Sequence, residues 1–269
     1  MAEQHFHENA IVLTGASRGI GRALAFQLAD QGAWLGLGAR DQASLEQVAE
    51  ECQRRGGRAL VVQTDVAEQS QCQRLIAQTA LEYGRIDTLI NNAGITMWSR
   101  FEDLQDLGPL EQIMKVNYLG SVYCTAAALP YLKRSKGRIV AVSSLAGKSG
   151  IPTRSGYAAS KHAMIGFFDS LRIEIAEYGI SVTMILPDFV SSEARTRAFG
   201  PDGHPLGVSP VQESKVMTVE ECARLIIAAA AQRQREEVMG LRGKAGLWIK
   251  LIAPALVDRI ASRAIQSGR

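Results

Sequence analysis

Seven short apolar runs recur along the chain, near residues 10–14, 33–39, 58–63, 86–90, 137–142, 180–186 and 236–239, and they limit the possible folds more than any other feature. None alternates cleanly between apolar and polar residues, so each predicts a strand covered on both faces, as in a parallel sheet. The segments between them carry helical spacing, as in Ile20, Leu24 and Leu28. This alternation predicts an α/β fold: a doubly wound parallel sheet of about seven strands, with helices on both faces and right-handed crossovers. Sheets of this kind bind ligands beyond the carboxyl ends of their strands. With 269 residues, 46% of them hydrophobic, the chain can bury one substantial core, and residues 1–240 are expected to form a single domain.

The residues just past the strand ends carry the chemistry. After the first run, Thr14-Gly15-Ala16-Ser17-Arg18-Gly19-Ile20-Gly21 leads from strand to helix. Glycine lets a backbone approach a pyrophosphate, and a helix N-terminus offers free N–H groups and a positive dipole end. The spacing is Gly-x3-Gly-x-Gly, not the general G-x-G-x-x-G. Ser144 follows the fifth run, and Tyr157 and Lys161 stand at i and i+4, one turn apart on the same helix face. A cation beside a phenol favours the phenolate, and a serine hydroxyl at a strand end could hold a carbonyl or alcohol oxygen next to it. Together they supply the proton-transfer half of a carbonyl–alcohol interconversion. The glycine loop would hold the hydride carrier.

These motifs resemble the short-chain dehydrogenase/reductase family. Residues 14–21 match its TGxxxGxG loop, Asn91-Asn92-Ala93-Gly94 its NNAG motif, and Ser144, Tyr157 and Lys161 its catalytic set. The likeness spans about residues 8–240 and implies a Rossmann-like fold. It also implies a fourth catalytic residue, Asn117, in a helix whose local irregularity holds a water leading to the lysine. For the nucleotide it implies contacts from Gly15, Ser17, Arg18, Gly19, Ile20 and Gly21, and from Asp65 and Val66 beside the adenine. Asn91, Ala93, Gly94, Tyr157, Lys161, Pro187 and Val190 complete the implied set. Ser192 stands where the family often has a threonine reaching the carboxamide; a helix N-cap is the other reading of it. Asp188 replaces a family glycine, an awkward exchange if the turn uses positive φ.

Cofactor choice depends on the end of the second strand. An acid there would bond the ribose diol of NAD, but this chain has Ala39 and Arg40. With Arg18 in the loop, the two guanidinium groups suit a 2′-phosphate, and NADP(H) is the expected cofactor. Asp41 would face the ribose instead if the strand ran one residue further. Two rivals to the oxidoreductase reading are a nucleotide-retaining lyase or epimerase and a non-catalytic NADP(H)-binding module.

The substrate side is less definite. Residues 95–101, with Met97, Trp98 and Phe101, residues 145–154, and the segment after Pro187 are candidate walls, suggesting an apolar small-molecule carbonyl or alcohol. Residues 200–210 hold six glycines or prolines and predict an irregular loop able to act as a lid, with His204 at the surface. Cys52, Cys72, Cys124 and Cys222 form no C-x-x-C pair, which predicts buried reduced thiols and no metal site. The first eight residues have no basic or apolar signal region, so a cytoplasmic protein is expected, and the family resemblance implies a homodimer or homotetramer.

The tail, residues 241–269, differs from the rest. It has six basic residues and only Asp258 as an acid, in a chain whose net charge is +3. Leu247, Trp248, Leu251, Ile252, Leu256 and Ile260 predict an apolar face broken at Pro254. Two readings stand: a helix packed on the domain or on a subunit neighbour, or an interfacial helix giving peripheral membrane contact. No aromatic-basic motif supports nucleic-acid binding.

Overall fold

The computed structural model describes residues 5–191, 195–209 and 216–266, apart from the side chains at 241–242 and 264–266. Seven strands, β1 (Ala10–Thr14), β2 (Trp34–Ala39), β3 (Arg58–Gln63), β4 (Thr88–Asn91), β5 (Arg138–Val142), β6 (Ser181–Leu186) and β7 (Glu236–Val238), form one sheet in the order β3-β2-β1-β4-β5-β6-β7. Every pairing is parallel, with Ile11 opposite Leu35 on one side and Thr88 on the other. The strand order reverses between β1 and β4, which opens a crevice above their carboxyl ends.

Between the first four strands run α1 (Gly19–Ala29), α2 (Gln42–Arg54) and α3 (Gln69–Tyr83). They are followed by α4 (Gly108–Ile113), α5 (Gly120–Ser135), α6 (Ser155–Glu174), α7 (Val219–Ala231), α8 (Leu241–Ile252) and α9 (Pro254–Gln266). Two apolar layers hold them. On one face Ile11, Leu13, Leu35 and Leu37 pack against Leu24 and Leu28 of α1, Leu45 and Val48 of α2, and Ile226 of α7. On the other, Val12, Leu89, Ile139 and Val182 pack against Leu75 of α3, Cys124 and Leu132 of α5, and Phe168 of α6. Successive strand residues thus point into different cores, and for that reason the runs show no alternation. Each fully buried leucine contributes about 1.5–3 kcal/mol.

The sheet's outer strand β7 is only three residues long and carries Glu236 and Glu237, a short charged edge that resists pairing with another chain. All four cysteines are buried and free. Phe6, 1% exposed, anchors the start of the described chain into the first core.

Candidate active site

A cleft of about 860 Å³ opens across the carboxyl ends of the central strands. One end is floored by the glycine loop. Gly15 adopts φ +67°, and a Cβ on Gly21 would lie 2.1 Å from the Gly15 carbonyl oxygen, so the loop folds onto the start of α1 with no room for a side chain. Asn92 clamps it: its Nδ2 donates to the carbonyls of Thr14 (2.9 Å) and Gly15 (3.2 Å). In return the Thr14 hydroxyl accepts the N–H groups of Asn92 and Ala93, at 3.0 and 3.1 Å. No side chain caps the N-terminus of α1, which leaves its first N–H groups for an anion in the cleft. Ser17, Arg18, Gly19 and Ile20 line this end with the two glycines.

At the mouth, β2 ends at Ala39 as expected, and exposed Arg40 follows it. Asp41 is the N-cap of α2. It accepts from the Ser44 N–H (3.1 Å) and hydroxyl (2.7 Å) and pairs with Arg18 at 3.2 Å. The Ser44 bonds, with Arg18 adding to them, hold its carboxyl below the usual range. Its oxygens are engaged on the protein, not presented as a ribose acceptor. Asp65, Val66, Ala93 and Gly94 line the cleft beyond. Asn91 does not: it is 3% exposed at the end of β4, with its Nδ2 donating to Thr125 (3.0 Å). Of the paired asparagines, Asn92 is the one at the glycine-loop end of the cleft, because the strand continues through Asn91 and turns its side chain under the sheet.

The opposite wall gathers the residues of the expected proton-transfer set. Ser144 follows β5; its hydroxyl accepts from the Ala146 N–H at 3.2 Å and lies 3.5 Å from the Pro187 carbonyl. Tyr157 and Lys161 stand on the first turns of α6, the ammonium 5.8 Å from the phenol ring centre. Lys161 is 3% exposed and donates to the Val142 carbonyl at 2.8 Å. Burial, reinforced by the nearby Arg154 charge, brings its pKa down to about 7. Gly94 links the two walls, since a Cβ there would lie 3.3 Å from Asn117 Oδ1 and 3.6 Å from Lys161 Nζ.

Asn117 sits in a π-helical turn, Met114–Leu119, between α4 and α5, so the expected irregularity is present. Its side chain is fully buried and fully engaged. Oδ1 accepts from the Ile95 N–H (2.8 Å), while Nδ2 donates to the Ile95 carbonyl and the Ser160 hydroxyl, both at 2.9 Å. Its own carbonyl takes the Ser121 hydroxyl at 3.1 Å. Asn117 thereby joins the segment after β4 to the helix that carries Tyr157 and Lys161.

Pro187, Asp188 and Val190 line the cleft, and Asp188 turns without positive φ, so the exchange for glycine carries no left-handed strain. Ser192 lies outside the described residues. All three expected wall segments reach the cleft, through Ile95, Ile151 and Phe189, and Phe199 and Pro205 join them. The expectation for individual side chains is corrected: Met97 is buried at 1%, Phe101 is 63% exposed, and neither they nor Trp98 line the cleft. Phe199 and Thr96–Trp98 exchange backbone bonds, Trp98 N–H to Phe199 O at 2.8 Å and Phe199 N–H to Thr96 O at 3.0 Å, which fixes the start of the glycine-proline loop over the cleft.

In the sequence, Arg154 stands only at the end of a candidate wall, with no role of its own. It is 8% exposed just before α6, donates to Thr96 at 3.0 Å, and lays its guanidinium 4.4 Å from the Tyr157 ring centre. Trp98 and Phe189 flank it at 5.4 and 5.8 Å. Burial lowers its pKa, yet a guanidinium remains charged at any ordinary pH. Its position two residues before Gly156-Tyr157 was the available clue.

The likeness extends to known proteins. A family model for short chain dehydrogenases matches residues 9–201. An 11-beta-hydroxysteroid dehydrogenase 1A of Arabidopsis thaliana is 34% identical over 262 residues, covering 95% of this chain and 75% of its own. An 11-beta-hydroxysteroid dehydrogenase A of Sesamum indicum is 36% identical over 254 residues, covering 92% and 73%. The crystal structure of an alcohol dehydrogenase from the archaeon Thermococcus sibiricus, complexed with 5-hydroxy-NADP, superposes with a TM-score of 0.75 at 26% identity, covering 85% of this chain and 94% of that one. Fold, motif order and relatives agree, and the chain belongs to the short-chain dehydrogenase family of oxidoreductases acting on hydroxyl and carbonyl groups.

Proposed function

We propose that this protein interconverts an apolar ketone and its secondary alcohol with NADP(H), Tyr157 serving as the acid and base. The observation that carries the reading is a phenol at the cleft wall with two cations against its ring, Arg154 at 4.4 Å and Lys161 at 5.8 Å. The cleft fits the nucleotide. The side-chain-free cradle and uncapped α1 N-terminus suit a pyrophosphate, and Arg18 and Arg40 at the mouth suit a 2′-phosphate, with Asp41 turned to Ser44. The 5-hydroxy-NADP bound by the archaeal relative supports the same choice. When bound, NADPH supplies the hydride.

The chain's own residues handle the proton and the oxygen. Ser144 holds the carbonyl oxygen, and Tyr157 donates its proton to it during reduction. The phenolate left behind is stabilised by the charges of Arg154 and Lys161. Lys161 would also hold the nicotinamide ribose. Asn117 is a positioning residue: through Ile95 and Ser160 it holds Gly94 and Lys161 in register. Ile95, Ile151, Phe189 and Phe199 favour an apolar substrate, in keeping with the hydroxysteroid in the relatives' names. The test is a screen of ketones and secondary alcohols, steroids included, followed by NADPH absorbance. Turnover of one of them that is lost in Tyr157→Phe is the expected result. Absence of turnover across the panel despite NADPH binding would leave the protein a binding module.

A further inference from the structure

We propose that α8 and α9 form an interfacial membrane element that seats the wall behind Ser144 on an anionic lipid surface. Half of the exposed large apolar side chains among the described residues fall in one stretch of thirteen: Trp248, Ile249, Leu251, Ile252, Leu256 and Ile260. Elsewhere they are scattered, as at Leu81 and Ile173, and need no explanation. On α8, Trp248, Leu251 and Ile252 share one helical face, 69%, 77% and 82% exposed. Past the break at Pro254, Leu256 and Ile260 continue the apolar surface, with Arg259 and Arg263 exposed beside them. Neither helix is long and apolar enough to cross a membrane, so the pair suits the plane of the interface.

Charge selects the occupant. The tail carries six basic residues against Asp258. A second copy meeting this face about a twofold axis would bring Arg259 and Arg263, both exposed, against their own duplicates, whereas anionic headgroups would neutralise them. An exposed tryptophan amid aliphatic residues also suits the headgroup boundary.

The other side of the tail is tied to the cleft. Gly243 lies so close to Leu145 that a Cβ there would come within 2.6 Å of its side chain, and Lys250 donates to the Lys148 carbonyl. Asp258 and Ser262 of α9 face Gly150, Pro152 and His162 across a shallow groove. The tail thus meets chiefly the segment between Ser144 and Tyr157, together with His162 of α6 and Glu237 of β7. A bilayer under α8 would place the substrate wall beside a reservoir of apolar molecules, a consequence that rests on the function proposed above, although the docking itself does not.

The experiment is co-flotation of the full chain with vesicles of phosphatidylcholine, with and without about one third phosphatidylserine, at low salt and at salt that cuts the Debye length to about 3 Å. Binding is expected to the anionic vesicles at low salt, reduced by added salt, and retained by Tyr157→Phe. The triple variant Trp248→Ser, Leu251→Ser, Ile252→Ser should weaken it at least about tenfold, as should the pair Arg259→Glu, Arg263→Glu. These positions are exposed, so NADPH binding and thermal melting should match the parent. Failure of the parent to float, or equal flotation of the triple variant, overturns the proposal. So does a parent dimer, seen by light scattering, that the triple variant converts to monomer without vesicle binding, which would make the face a subunit interface.

Discussion

The two ends of the cleft solve different problems with opposite materials. The glycine-loop end is backbone: glycines that admit no side chain, an uncapped helix, and at the mouth exposed Arg40 with Arg18 paired to Asp41. The proton-transfer end is side chain, with Arg154, Lys161 and Asn117 at 8%, 3% and 0% exposure. Exposed charges are screened and interchangeable, which is enough to hold a phosphate. Buried charges carry a desolvation cost, and it is that cost which brings a lysine to a pKa of about 7. Recognition tolerates solvent, and proton transfer requires its removal.

The contrast predicts a ranking of mutational effects. Tyr157→Phe should lower turnover by about 10² to 10⁴-fold, the usual contribution of a positioned acid, while NADPH titration by fluorescence stays unchanged. Retention of more than about a tenth of the activity would remove Tyr157 as the acid. Gly21→Val should affect the other end, weakening NADPH about a hundredfold or more, because its Cβ would meet the Gly15 carbonyl at 2.1 Å. An unchanged dissociation constant would mean that the cradle is not where the nucleotide lies.

Lys161→Met separates function from stability. Activity should fall sharply, yet the fold should gain up to a few kcal/mol at neutral pH. The folded pKa of about 7 lies below the unfolded value near 10.5, so the burial cost is complete below pH 7 and fades as pH rises to about 10. Melts at acid and alkaline pH read this directly: the variant's advantage must be larger at the acid end. Arg154→Met, with a similar stem and no charge, should lower turnover roughly tenfold and move the alkaline limb of the rate profile upward, since a cation that disfavours the ammonium is gone. A limb that stays in place would assign Arg154 to packing alone. The smallest effect belongs to Arg40→Ala, about tenfold on NADPH and none on NADH, as expected for one exposed charged contact. Equal losses on both nucleotides would separate Arg40 from the 2′-phosphate.

The same contrast decides what could be seen in the sequence. Strands announce themselves by composition, and the expected runs coincide with β1 to β7 to within about two residues because both faces of the central strands are buried, while the edge strands β3 and β7 are partly exposed. Gly15, Gly21, Ser144, Tyr157 and Lys161 are legible because their spacing is local. Arg154 is not, since its role arises from Thr96, far away in the chain, and from burial against the Tyr157 ring. Phe101 misled for the complementary reason: its apolar character says nothing of direction, and the turn at Phe101–Asp103 aims it into water. Asp41 was ambiguous until its bonds to Ser44 gave it the task of starting α2.

The π-helical turn at Met114–Leu119 has a genetic consequence. A turn of that kind holds one residue more than the α-helix around it, and α4 and α5 continue on either side. Deleting a single codon there would let the two helices join as one regular helix, because the wide turn is what accommodates the extra residue and the faces of α4 and α5 on either side keep their directions. Asn117 would lose Ile95 and Ser160 together. Such a protein should still express and melt cooperatively while turning nothing over, a null allele without a folding defect.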